Sequence, residues 1–153
     1  MKFNVSWHFI FACICSLCGF GLWTAAAQAG PAPCSLLTSA EVSAAVGANV
    51  GAAQPIANTG CSWSAPHIIV TVSLWDASDW AKFKTPLPGT TRTAVSGFGD
   101  DAFFSTMGSA EKQFTTLTVK KGSTAYVIKV YGGNATDQLS KEKTLAGNVL
   151  AKL

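Results

Sequence analysis

The sequence predicts one α+β domain: a mostly antiparallel sheet with an N-terminal and a C-terminal helix packed on it, behind a cleavable leader. Three observations carry this reading. Stretches of period-two alternation follow one another with hairpin-length turns between them, which favours antiparallel neighbours over the long crossovers of a parallel sheet. Helical patterns stand at both ends of the chain after the leader. A chain of 153 residues without internal repeat or low-complexity tract has the length of a single domain.

Residues 1–29 read as a signal peptide and residues 30–153 as the domain. Lys2 and the α-amine make a weakly positive start, residues 9–23 are uncharged, and Ala27-Gln28-Ala29 is a small-x-small cleavage site. The uncharged run is too short for a lasting bilayer helix, which needs roughly 20 residues. Leu17 before Cys18, Ile14 before Cys15 and Ile10-Phe11-Ala12 before Cys13 make poor lipid-attachment signals. The expected product is therefore exported, to the periplasm or the medium, with no stable membrane anchor after leader removal.

Cleavage leaves Cys34 and Cys61 as the mature thiols, and two thiols in an exported chain most often pair. A metal site would need further ligands, and His67 is the single mature histidine, so a disulfide is expected and no metal or cofactor. The formal net charge of +3 is spread along the chain, which argues against a nucleic-acid binder. Only 12% of residues are charged, too few for a disordered tail.

Gly30-Pro31-Ala32-Pro33 is a stiff, non-helical lead-in. Thr38-Ser39-Ala40-Glu41 has the form of a capping box, Val42, Ala45 and Val46 supply an apolar stripe, and Gly47 a left-handed stop, so a short helix is expected. Residues 50–56 form a weak strand, broken by Gly51 and Pro55. Asn58-Thr59-Gly60 turns the chain into Cys61-Ser62-Trp63-Ser64, which ends at Pro66-His67. Residues 68–75 are the clearest strand, with Ile68, Val70, Val72 and Leu74 on one face and Ile69, Thr71, Ser73 and Trp75 on the other. Residues 76–84 suit a short helix burying Trp80 and Phe83, and residues 85–91 a mobile Pro-rich loop. Strands are expected over 101–106, 113–120 and 124–131, with a turn at 107–111 and a tight hairpin at Lys121-Gly122-Ser123. Gly132-Gly133-Asn134 ends the sheet. A helix from Thr136 then buries Leu139, Leu145, Ala146, Val149 and Leu150.

Several of these segments together resemble a known family. They are Cys34-Ser35-Leu36-Leu37-Thr38 with Glu41-Val42 and Gly47, then Gly60-Cys61-Ser62-Trp63. Gly97-Phe98-Gly99-Asp100-Asp101-Ala102-Phe103-Phe104 and Leu117-Thr118-Val119-Lys120-Lys121-Gly122 complete the set. The family is one of small exported bacterial proteins of unknown function, including cell-envelope lipoproteins of mycobacteria and other actinobacteria. The resemblance spans nearly the whole mature chain, and its motifs are structural. It implies a PsbP-like fold and a Cys34–Cys61 bond tying the first helix to the first hairpin, and it implies no reaction. The chain departs from the family in lacking a lipobox.

Candidate sites follow from residue type. His67 is the residue any histidine-based hydrolase must use, yet it sits beside Pro66 at a strand start and no Gly-x-Ser-x-Gly elbow accompanies it. Asp100-Asp101 is the densest acidic point, but calcium needs six or more oxygens and the flanking residues offer only carbonyls, so turn chemistry is expected. Lys120, Lys121 and Lys129 fit a basic patch on the last hairpin or lysines guarding a strand edge. Asn134-Ala135-Thr136 has the form of a glycosylation sequon and, behind a bacterial-type leader, is expected to start a helix. Trp63, Trp75 and Trp80 fill a core or line a groove. Residues 68–75 are apolar on both faces, and the terminal helices cover one of them. The Trp80–Phe83 segment and the Pro-rich loop are the only cover for the other, which predicts a cleft lined by Trp75, Trp80 and Phe114. The function expected is a non-enzymatic envelope or secreted binding module for a small apolar ligand or a protein partner. The alternative is a small secreted hydrolase using His67.

Overall fold

The computed structural model describes residues 31–108 and 113–153. The leader at 1–29 and most of the turn expected at 107–111 lie outside these residues. A 3-10 turn at Pro33–Ser35 leads into α1 (Ser39–Val46), followed by β1 (Gln54–Ile56), β2 (Gly60–Ala65) and β3 (Ile68–Asp76). A second 3-10 turn at Ala77–Asp79 runs into α2 (Trp80–Lys84), and then come β4 (Thr90–Ala94) and β5 (Asp101–Met107). The hairpin of β6 (Phe114–Lys121) and β7 (Thr124–Tyr131) and the helix α3 (Ala135–Leu150) complete the chain. The fold is α+β, and its seven strands form one fully antiparallel sheet in the order β1-β2-β3-β7-β6-β5-β4.

The helices form where the sequence supplies their ends. Thr38 Oγ1 accepts from the Glu41 amide while Glu41 Oε2 accepts from the Thr38 amide, closing the capping box, and Gly47 stops α1 at φ 72°. Asn134 Oδ1 accepts from the Asp137 amide and caps α3, so the sequon-like triplet is a helix start. Both helices pack on one face of the sheet. There Val42 and Val46 of α1 and Leu145, Ala146 and Val149 of α3 meet Trp63, Val70, Val72, Leu117 and Ile128. The Cys34–Cys61 disulfide pins the lead-in of α1 to β2, with the two Cα atoms 5.1 Å apart. Among the described residues no helix is long and apolar enough to cross a membrane.

Three expectations needed revision. The expected loop at 85–91 gives its last two residues to β4, and the weak strand at 50–56 shrinks to Gln54–Ile56. Both are edge strands, where a one-sided hydrogen-bond ladder asks for little apolar alternation. Lys120, Lys121 and Lys129 do not guard an edge, because β6 and β7 are interior strands. Nor do they form one patch, since Lys129 stands four residues beyond Ala125, the partner of Lys120.

Gln138 and Glu142, two polar residues on the α3 face, are buried instead of solvated. They enter a gap in the sheet. The β6–β7 ladder stops at Leu117–Ile128, although β6 starts at Phe114 and β7 ends at Tyr131. In a hairpin closed by a two-residue turn every second pair exchanges hydrogen bonds, and Thr115 with Val130 would be the next bonded pair. Instead the Thr115 amide donates to Gln138 Oε1 at 3.0 Å and the Val130 amide to Glu142 Oε1 at 3.1 Å. The helix thus substitutes its own side chains for the missing rung. Burial pushes the Glu142 carboxyl up to about 7, against smaller opposing effects from the Val130 amide, Thr115 and Lys129.

Candidate functional site

The second face of the sheet is covered lightly. Trp80 of α2 packs on Phe103, with ring centroids 5.5 Å apart, and on Ala125, while Phe83 closes the cluster from the side. Trp80 Nε1 donates to Asp101 Oδ2, which also accepts from Lys84 Nζ. The Lys84 bond first, and the Trp80 bond second, hold the Asp101 carboxyl below the usual carboxylate range. Asp100 Oδ2 accepts from the Gly122 amide at the tip of the β6–β7 hairpin. The acidic pair therefore anchors α2 and the hairpin, and among the described residues no cluster of metal-ligating side chains is present.

Among the described residues nothing beyond α2 and the loop after it covers this face, and a groove of about 200 Å³ runs across β4 to β7 under Phe83 and Leu87. Its bottom follows from register. Arg92 pairs with Ser105 and Ser105 with Thr116, and Lys129 of β7 lines the groove just past the point where the β6–β7 ladder opens. Lys129 in turn pairs with Thr71, Thr71 with Ser62 and Ser62 with Gln54. Every strand thus gives a polar residue to one row across the sheet. On one side of the part beneath the groove stand Phe103, Thr118 and Val127, and on the other Met107, Phe114 and Tyr131.

Ser105, Thr116 and Thr118 are at most 8% exposed, line the groove, and make no side-chain hydrogen bond among the described residues. Arg92 leans on the Phe103 ring, its Nη1 donates to the Phe83 carbonyl oxygen, and its Nε is buried without a partner. Burial lowers the pKa of its guanidinium. Lys129 Nζ rests over the rings of Tyr131 and Phe114, 5.3 and 5.8 Å from their centroids. Among the described residues, two cations and three buried hydroxyl-bearing side chains border the groove, and no carboxylate does.

The residues expected to line one cleft do not converge. Trp75 is 46% exposed and lines a separate hollow with Leu74, Asp76 and Asp79. Trp80 is buried beneath α2, and both tryptophans meet Phe83, with ring centroids 5.8 and 6.3 Å away. Phe114 lies six residues along β6 from Lys120, the row of Trp75, roughly 20 Å away at the rise of a strand. Trp63 is wholly buried in the main core. His67 occupies the β2–β3 turn at φ 62°, exposed, and no hydrogen bond reaches its ring among the described residues. Arg92, Ser105 and Thr116 were missed because their alignment depends on the register of three strands. The available signal was the alternation Thr116-Leu117-Thr118-Val119 in β6. No family model, curated protein or solved structure matches the chain.

Proposed function

We propose that the protein is an exported, non-enzymatic binding module, and that its ligand is a small molecule with an apolar portion held in the groove across β4 to β7. The observation that carries this reading is the incomplete cover of the second sheet face. Among the described residues a five-residue helix and one loop roof it, and the hydroxyls of Ser105, Thr116 and Thr118 beneath them make no side-chain hydrogen bond. Binding sites of this kind combine apolar walls with a few placed polar groups, as Phe83, Leu87, Phe103 and Met107 combine here with the polar row. The groove is smaller than the ~300–1,000 Å³ of drug-sized pockets, which suits a compact ligand. Export accords with the leader-like residues 1–29, the disulfide, and the resemblance to small exported bacterial proteins with a PsbP-like fold.

The test uses two fluorescent probes with the same aromatic body, N-phenylnaphthylamine and anilinonaphthalene sulfonate. Binding is followed by probe emission and by the methyl resonances of Val127, Thr116 and Thr118. At least one probe is expected to shift those methyls, and Thr118→Leu, which fills the groove, should abolish the effect while leaving the melting temperature within a few degrees. If neither probe moves the groove methyls at millimolar concentration, the reading is wrong.

A further inference from the structure

We infer that the groove is an organic-anion site: its ligand carries an acidic group that sits over Ser105 and Thr116, between Arg92 and Lys129. This rests on the binding reading above and narrows it to a ligand class. Paired strands lie about 4.8 Å apart, so Arg92 stands roughly 10 Å from Thr116 at the backbone with Ser105 between them, and Lys129 lines the same groove across the opened β6–β7 ladder. An anion over the central pair lies within reach of both long side chains.

Each partner in this row has hydrogen-bonding capacity to spare. The Ser105 and Thr116 hydroxyls are buried, face the groove and can donate to an oxyanion. Among the described residues, neither Arg92 nor Lys129 has a carboxylate within salt-bridge distance, whereas Lys82, Lys84 and Lys152 do. Arg92 is half-buried and is held by one carbonyl dipole and one ring, a weak substitute for a counter-ion. Lys129 rests on Tyr131 and Phe114 and needs only side-chain rotation to reach the hydroxyl pair. Both cations lean on aromatic rings, which keeps them positioned without neutralising them. The apolar body of the ligand then lies against Phe83, Leu87 and Phe103. A sulfonate, carboxylate or similar monoanion on a compact aromatic or branched aliphatic frame meets these requirements.

The experiment compares the same two probes at low and high salt. Anilinonaphthalene sulfonate should bind at least tenfold more tightly than the neutral amine, and sodium chloride should weaken only the sulfonate. Arg92→Gln and Lys129→Gln should each cost the sulfonate about tenfold and leave the neutral probe unchanged, with Arg92→Lys retaining most of the affinity. Ser105→Ala with Thr116→Val removes donors without touching charge and should also weaken only the sulfonate. That pair, with Lys129→Gln, keeps the test valid if Arg92→Gln fails to fold. Equal affinities for the two probes, both abolished by Thr118→Leu, would overturn the anion inference and leave the groove reading standing. Absence of binding by either probe would overturn both.

Discussion

Glu142 sets a pH dependence opposite to that of an ordinary salt-bridged carboxylate. Its side chain is wholly buried, Oε1 accepts from the Val130 amide and Oε2 has no partner. Hydrogen bonding from the Val130 amide and Thr115, and the charge of Lys129 acting through the sheet from its other face, offset burial only in part. The folded chain therefore holds a proton up to about pH 7, whereas the unfolded chain sheds it near 4.5. Between these values unfolding releases the proton, so each rise in pH favours the unfolded state, and the effect levels off once both states are ionised. At about 1.4 kcal/mol per unit the loss across this window is about 3 kcal/mol. Glu142→Gln keeps an acceptor for Val130 and cannot ionise. Urea unfolding of the disulfide-intact protein from pH 4.5 to 7.5 should show falling stability in the natural protein and a flat profile in the variant. Other shifted carboxylates do not obscure the window. Glu41 is lowered to about 2, first by the hydrogen bond from Lys152 and then by the Thr38 amide, while Asp76 and Asp101 are also lowered, so all three act at more acid pH. Parallel profiles for the two proteins, or stability rising with pH in both, would refute the reading of Glu142 as a buried, proton-holding carboxyl.

Three further outcomes are expected. Native protein should expose no alkylatable thiol at Cys34 or Cys61, and Cys34→Ser with Cys61→Ser should lower stability by about 3–4 kcal/mol, the loop-closure value for a 27-residue separation; labelling of the native protein would contradict this. Gly132 lies at φ 103°, where a Cβ would collide with the His67 carbonyl oxygen, so Gly132→Ala should cost about 2 kcal/mol or more in a denaturant melt, and a neutral result would mean that the turn relaxes freely. Trp80→Phe keeps the ring under α2 but removes the bond to Asp101. It should cost about 1–2 kcal/mol and speed amide exchange over residues 80–84, with unchanged exchange counting against Asp101 as the anchor of the roof.

Much of the frame was legible because it rests on local chemistry. Thr38 with Glu41 fixes the start of α1, Gly47 its end, and the alternation from Ile68 to Trp75 marks β3 whatever its neighbours. The Cys34–Cys61 pair followed from counting thiols. Long-range placement was not legible. The sequence cannot show that α3 turns Gln138 and Glu142 inward, since their polarity argues for the surface until the β6–β7 ladder is seen to stop short. Trp75 and Phe114 share a face by alternation, yet strand register sets them at opposite ends of it. The polar row is likewise a property of seven strands in alignment, and each strand alone contributes a single unremarkable serine, threonine, lysine, arginine or glutamine.

The position of β7 also bears on when the chain can fold. It lies between β3 and β6, so it joins residues 68–76 to a partner more than forty residues later, and the left and right halves of the sheet meet only through it. Such distant pairing makes for slow folding. During synthesis β1 to β3 have no interior neighbour until Thr124–Tyr131 has emerged, and the main core still awaits α3. A nascent chain cut short before β7 therefore lacks the strand on which both halves depend. It stays open to a protease until β7 and then α3 have been made.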